Sequence, residues 1–232
     1  MRFLRLSEVH PSPEDRVFRY SPALVAAWAL GIVCIAAALV LVEWEGRTRS
    51  AYYIAYYGSG VLLLSLFLMR RFLLARLRPS NWLARIRNDG LFIQFRSYLN
   101  YHLLADDLTV VFIPYQEIRS ARLVRERTKI PDHDGISTQT RRLVELELAG
   151  DLTTLSKALG IESARPAPQE KTWYGKSSTL YKHYPVRMVS SPFLRLEWPV
   201  APSVSSFLDA LRPYTTIVPP LSWQKTSRTS AT

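Results

Sequence analysis

The sequence predicts an α+β chain: a two-helix transmembrane hairpin, then a mainly antiparallel β domain of seven strands capped by a C-terminal helix. Three observations carry that expectation. Residues 20–42 and 50–69 hold no charged side chain and lie only seven residues apart. Between residues 81 and 198, short runs alternate apolar and polar side chains and are separated by turn residues. Near the end, Val204, Phe207, Leu208 and Leu211 recur at helical spacing.

A helix rises about 1.5 Å per residue, so each uncharged stretch matches the roughly 30 Å hydrocarbon thickness of a bilayer. Residues 23–42 show no polar stripe of the kind a helix resting on a protein core needs; Trp28 and Cys34 are the only mildly polar members. A cleaved signal peptide fits less well, because a charged leader at 1–19 comes first and the apolar run is too long. Arg2, Arg5, Arg16 and Arg19 precede the first stretch, and Arg70, Arg71, Arg76 and Arg78 follow the second. In the connector, Arg47 and Arg49 are offset by Glu43 and Glu45. The positive-inside bias then predicts a multi-pass inner-membrane protein with both termini cytoplasmic. Trp44, Tyr52 and Tyr53 fall at the expected outer interface. Gly31, Gly58 and Gly60 are candidate helix-packing positions, between the two arms or against another helix. The expected organisation is a leader at 1–19, helices at 20–42 and 50–71 around an external loop at 43–49, and a cytoplasmic domain at 80–213. That domain holds an insertion at 150–182, and a disordered tail follows at 214–232.

With 30 Lys and Arg against 19 Asp and Glu, the net charge is +11. Much of that excess is arginine beside the two apolar stretches, where each is worth on the order of 1 kcal/mol near an anionic leaflet. A nucleic-acid partner is therefore not implied. The single cysteine, Cys34, can form no internal disulfide and no thiolate metal site by itself.

In the β domain, residues 81–88 and 91–96 alternate around Asn88-Asp89-Gly90, a hairpin signal. Residues 108–113 form a β-branched and aromatic run stopped by Pro114, and residues 118–127 alternate with a basic outer face of Arg119, Arg122, Arg125 and Arg127. Another strand follows at 141–149. A short helix at 151–161 has Asp151 as its cap and Gly160 as its stop. Two more strands at 183–190 and 193–198 meet at Ser191-Pro192, and the closing helix runs over 203–211.

Seven strands and a closing helix in this order resemble the pleckstrin-homology (PH) fold. Residues 82–117, with the Asp89-Gly90 hairpin and the segment Ile113-Pro114-Tyr115-Gln116-Glu117-Ile118, look like the PH-like domains of small bacterial membrane-anchored proteins. The resemblance implies two near-orthogonal sheets closed by a helix, and a membrane anchor just upstream. Inositide-binding members of that fold use basic residues around a roomy loop between their first two strands. Here the loop is tight, and Arg85, Arg87 and Arg96 read as a solvated strand face.

No catalytic residues, cofactor or metal ligands are expected. Asp132, His133 and Asp134 share one loop with no second cluster to complete a cation site. His102, near Asp106 and Asp107, lacks a nucleophile or a phosphate loop. Arg70, Arg71, Arg76 and Arg78 are assigned to topology and anionic lipid. Trp173, Tyr174, Lys176, Tyr181 and Lys182 interleave aromatic and basic side chains and are the candidate contact with a partner or membrane. The expected function is a membrane-anchored, non-enzymatic interaction module binding a protein partner or the anionic leaflet, with the lipid bilayer as a further partner and no small-molecule substrate. The alternative is an accessory subunit of a membrane enzyme or transporter, packed through its two helices.

Overall fold

The computed structural model describes residues 1–44, 49–100, 103, 106–132, 135–166, 169–171, 177–179 and 183–225. The chain divides into two units: Ser21–Asn81, and Met1–Tyr20 together with Trp82–Thr232.

The first of these is helical. α1 spans Pro22–Trp44 and α2 spans Arg49–Leu77. Pro22 occupies the first helical position, where its missing N–H leaves no bond unmade. The helices run antiparallel: Arg76 Nε near the end of α2 donates to Ser21 O at 3.3 Å, and Leu39 of α1 approaches Gly58 near the start of α2. The seam on α1 is Val25, Ala29, Ile32, Ala36 and Leu39, which are buried or half-buried. Their alternating spacing of four and three residues is the pattern that keeps one face against a neighbouring helix. Away from the seam the apolar side chains are open; Leu68 is 72% exposed and Leu41 68%.

This pair corrects the largest expectation from the sequence. Among the described residues no helix is long and apolar enough to cross a membrane. That finding overturns the transmembrane hairpin, the multi-pass inner-membrane location and the two-sided topology built on it. In α2 the charge lies inside the helix rather than beyond its end: the helix continues through Arg70, Arg71 and Arg76. Its first turns hold Tyr52, Tyr53, Tyr56 and Tyr57, followed by Gly58-Ser59-Gly60. Helical length and the absence of a polar stripe are therefore not sufficient evidence of a bilayer.

The second unit is built on two sheets. Its strands are β1 (Arg2–Arg5), β2 (Arg16–Arg19), β3 (Trp82–Arg87), β4 (Gly90–Gln94), β5 (Leu108–Pro114), β6 (Ile118–Asp132) and β7 (Gly135–Leu148). Helix α3 (Thr153–Ala164) follows, then the short pair β8 (Gln169–Lys171) and β9 (Ser177–Thr179). β10 (Val186–Ser190), β11 (Phe193–Glu197), α4 (Val204–Leu211), β12 (Thr216–Ile217) and β13 (Leu221–Lys225) complete it. One sheet has the order β1-β5-β4-β3-β2; the other has β10-β11-β7-β6-β12, with β13 also pairing with β6. The seven-strand barrel expected from the sequence is corrected accordingly. Five and six strands occupy the two sheet orders, and β8 and β9 pair separately.

The main core lies between the inner faces of both sheets and α4. Leu83, Ile93, Phe95, Ile113, Leu146, Leu194 and Phe207 are buried there. Phe18, Trp198 and Phe207 meet ring to ring, with centroids 4.5–5.5 Å apart. α4 buries Val204, Phe207 and Leu211, and Ser203 Oγ caps its start by accepting from Ser206 N at 3.4 Å. At the β3–β4 turn, a Cβ added to Gly90 would lie 2.6 Å from Ile113 O, so only glycine lets β5 approach there.

A second, smaller core explains the leader. The outer face of the first sheet carries Trp82, Phe92, Val110 and Phe112, all buried. Leu4, Leu6, Val9 and Val17 of the leader cover them, so β1 and β2 seal both edges and one face of that sheet. Residues 1–19 thus belong to the β unit and supply its strands β1 and β2, rather than forming a separate leader. The tail departs from expectation for a similar reason: Tyr214 stacks on Tyr115 at 4.0 Å, Thr215 Oγ1 donates to Ile118 O, and β12 and β13 add to β6. Gly160 does not stop α3, which continues to Ala164.

Candidate interaction surfaces

Strand geometry puts like-facing residues of neighbouring strands side by side, and here that brings opposite charges together. Glu145 on β7 stands opposite Arg122 on β6 and Arg195 on β11. It accepts from Arg195 Nε at 2.5 Å and from Arg122 Nε at 2.7 Å and is 2% exposed. Arg187 on β10 pairs with buried Glu126 on β6. Glu197 accepts from Arg141 at 2.8 Å and bonds His183 Nε2 at 3.0 Å. Burial alone would raise the Glu197 carboxyl, but the His183 hydrogen bond and the charge of Arg141 outweigh it and hold the group below its ordinary range.

The arginines read as a solvated strand face are paired within the fold, Arg85 and Arg96 buried and Arg87 half-buried. Arg96 Nε donates to Glu162 of α3 at 2.5 Å, and its Nη2 donates to Asp107, which Arg165 also meets at 2.8 Å. This cluster clamps α3 to the end of β4. Arg85 and Arg87 converge on Asp15 of the leader, at 3.7 and 3.0 Å. Burial opposes the Asp15 charge, yet hydrogen bonds from Arg87 and Ser12 N, with the Arg85 charge nearby, leave its carboxyl below the usual value. None of the three guanidinium groups reaches out to form an anion site. The missed signal lay in spacing: Asp15 and Glu162 sit more than sixty residues from their arginines, and only the tertiary fold joins them.

Of the other sequence-selected residues, Gly58 faces α1, with a Cβ there reaching ordinary contact with Leu39 at 3.5 Å, while Gly31 and Gly60 have open space around them. Arg70 lies over the Phe67 ring at 3.9 Å within α2, and Arg76 is bonded to Ser21 O. Arg78 is exposed beyond the helix, and the Arg71 side chain lies outside the described residues. With the spans overturned, the topological assignment of these four arginines loses its basis. Trp173, Tyr174, Lys176, Tyr181 and Lys182 lie outside the described residues, as do His102, His133 and Asp134. Asp132 ends β6. Among the described residues no group of three His, Cys, Asp or Glu could hold a metal ion.

Two kinds of surface remain. The helical unit exposes Trp28, Leu30, Ile35, Val61, Leu64 and Phe67, each at least half open. Large contiguous apolar patches are uncommon on monomeric proteins, so these exposed side chains are the candidate interaction face of the helical unit. In the β unit, two hollows flank the start of α3. One, of about 700 Å³, is bordered by Phe3, Leu4, Glu117 and Leu155. The other, of about 600 Å³, lies between α3 and β10. Comparison with protein-family models, with curated proteins and with solved structures finds no match to this chain.

Proposed function

We propose that the chain is a non-enzymatic interaction module that binds a protein partner, with the α1–α2 pair as its principal contact. The observation that carries this reading is the open apolar surface of the helical unit, where Leu68, Leu41, Val61 and Leu30 are each more than 60% exposed. Apolar surface removed from water stabilises by about 25 cal/mol per Å², so covering several such side chains supplies the drive for association. Helices of a larger partner suit the surface, because side chains at three- and four-residue spacing form ridges that enter the grooves of another helix. This is the accessory-subunit reading without its membrane spans. The pairing of acidic and basic groups inside the β unit supports a scaffold that holds its shape while bound.

The test is a photo-crosslinking amino acid placed at Val61 and, separately, at Leu68 in the full chain, activated in native extracts. The expected result is one reproducible protein adduct shared by both positions. Adducts with lipid only, or none at all, would overturn the reading.

A further inference from the structure

We infer that Arg125 and Arg142 form an oxyanion site on the paired strands β6 and β7, and that its ligand is a phosphate monoester. This goes beyond the helical contact and does not rest on it.

Elsewhere in the β unit, guanidinium groups are matched. Arg87, Arg96, Arg122, Arg141, Arg187 and Arg195 each meet a carboxylate from another strand or segment. Arg125 and Arg142 depart from that pattern. They stand directly opposite each other in the register of β6 and β7, and both are exposed. Among the described residues neither guanidinium has an acidic or hydrogen-bonding partner. Alternation along the strands decides what shares their face. Leu123, Arg127, Thr140 and Val144 hold the diagonal positions, and none is acidic. Glu126, the nearest acid along β6, points to the opposite face, where Arg187 meets it.

Side chains directly opposite in an antiparallel pair have Cβ atoms about 4.5–5.5 Å apart, and like charges there repel. The strands are not free to splay and relieve that repulsion. The adjacent pair, Val124 and Leu143, is fully buried, and β13 pairs with β6 at Val124 and Glu126. On the other side Leu143 pairs with Glu197 of β11, and Trp198 N donates to Arg142 O at 3.0 Å. Two donor forks are thus held side by side on fixed backbone. An oxyanion between them accepts from both and removes the repulsion. The charge selects its kind. A phosphate monoester carries about −1.5 to −2 at neutral pH and three acceptor oxygens, which matches two guanidinium groups. A single carboxylate or a phosphodiester brings one charge and leaves one arginine unmatched.

The experiment follows the thermal unfolding of the full chain in inorganic phosphate and in chloride at matched ionic strength. It then measures, by fluorescence anisotropy, a peptide library randomised around one phosphoserine, with the unphosphorylated library as control. Phosphate should raise the melting temperature of the parent, and phosphorylated peptides should bind better than their controls. Arg142→Glu sets a carboxylate opposite Arg125, so it should raise the melting temperature without phosphate and abolish the further rise; a well-folded variant that no longer binds excludes misfolding as the cause. Arg125→Lys together with Arg142→Lys keeps the net charge of +11 but loses both planar forks, and should weaken binding about tenfold. Tighter binding of phosphoserine peptides than of inorganic phosphate would place the ligand on a protein, and the reverse would make it free phosphate; either outcome supports the site. The inference fails if phosphate and chloride act alike, if the double lysine variant binds as well as the parent, or if Arg142→Glu still binds. It also fails if a phosphodiester oligomer binds where monoesters do not.

Discussion

The two units of this protein treat the same problem in opposite ways. In the β unit, charged groups are drawn inside and matched: Glu145 sits between two arginines, and Arg96 between Glu162 and Asp107. In the helical unit, apolar groups are left outside and unmatched over most of both helices. The first arrangement depends on partners within the chain, because a charge out of water costs several kcal/mol unless it is paired. In the second, the apolar side chains stay exposed among the described residues. The contrast separates charges that depend on partners within their own unit from apolar side chains that stay open to solvent.

The sharpest way to break this contrast is to remove a buried counter-charge. Glu145→Ala leaves Arg122 and Arg195 facing each other with nothing between them, and should cost about 3–5 kcal/mol. A urea titration of the β unit's tertiary signal measures it, and a loss under 1 kcal/mol would show the pair to be dispensable. Next in size is Gly58→Leu, which forces added bulk against Leu39 and should loosen the helical pair by about 1–3 kcal/mol. Gly60→Leu, at an open position, is its control. Amide exchange in α1 and α2 should rise with the first variant and stay level with the second.

The Asp15 clamp sharpens the contrast through pH. Its carboxyl is held below the ordinary value, so its contribution is complete above the unfolded pKa of about 3.9 and is lost as pH falls through the lowered folded value. At pH 7, Asp15→Asn should cost about 1–3 kcal/mol. As pH falls through the lowered folded value the urea midpoints of the variant and the parent should converge, and a constant gap across pH would contradict the clamp. The smallest effect is expected at the open helical surface. Val61→Ser should change stability by no more than about 0.5 kcal/mol while weakening partner capture.

Much of the β unit was legible in the order of residues. The strands at β3, β4, β5, β10 and β11 and the helix α4 fall close to where alternation and turn chemistry put them. Those are local properties, set by side-chain period and by residues such as Ser203 and Gly90. The ion pairs were not legible. Arg85 and Arg96 look like a solvated face because their carboxylate partners, Asp15 and Glu162, come from the leader and from α3. The two helices were legible as helices, but their seam was not. An apolar helix without a polar stripe gives no sign of which side meets its neighbour, and the four-three spacing of Val25, Ala29, Ile32, Ala36 and Leu39 gains meaning only once α2 lies beside it.

By itself, the sequence determined where β3, β4, β5, β10, β11 and α4 form, because period, caps and turn residues act over a few neighbours. Only the tertiary structure decided that β1 and β2 become the two edges of a sheet and that Arg85, Arg87 and Arg96 meet carboxylates from distant segments. Each of these depends on which distant segments meet, and pairing energy between segments far apart leaves no periodic trace in either one.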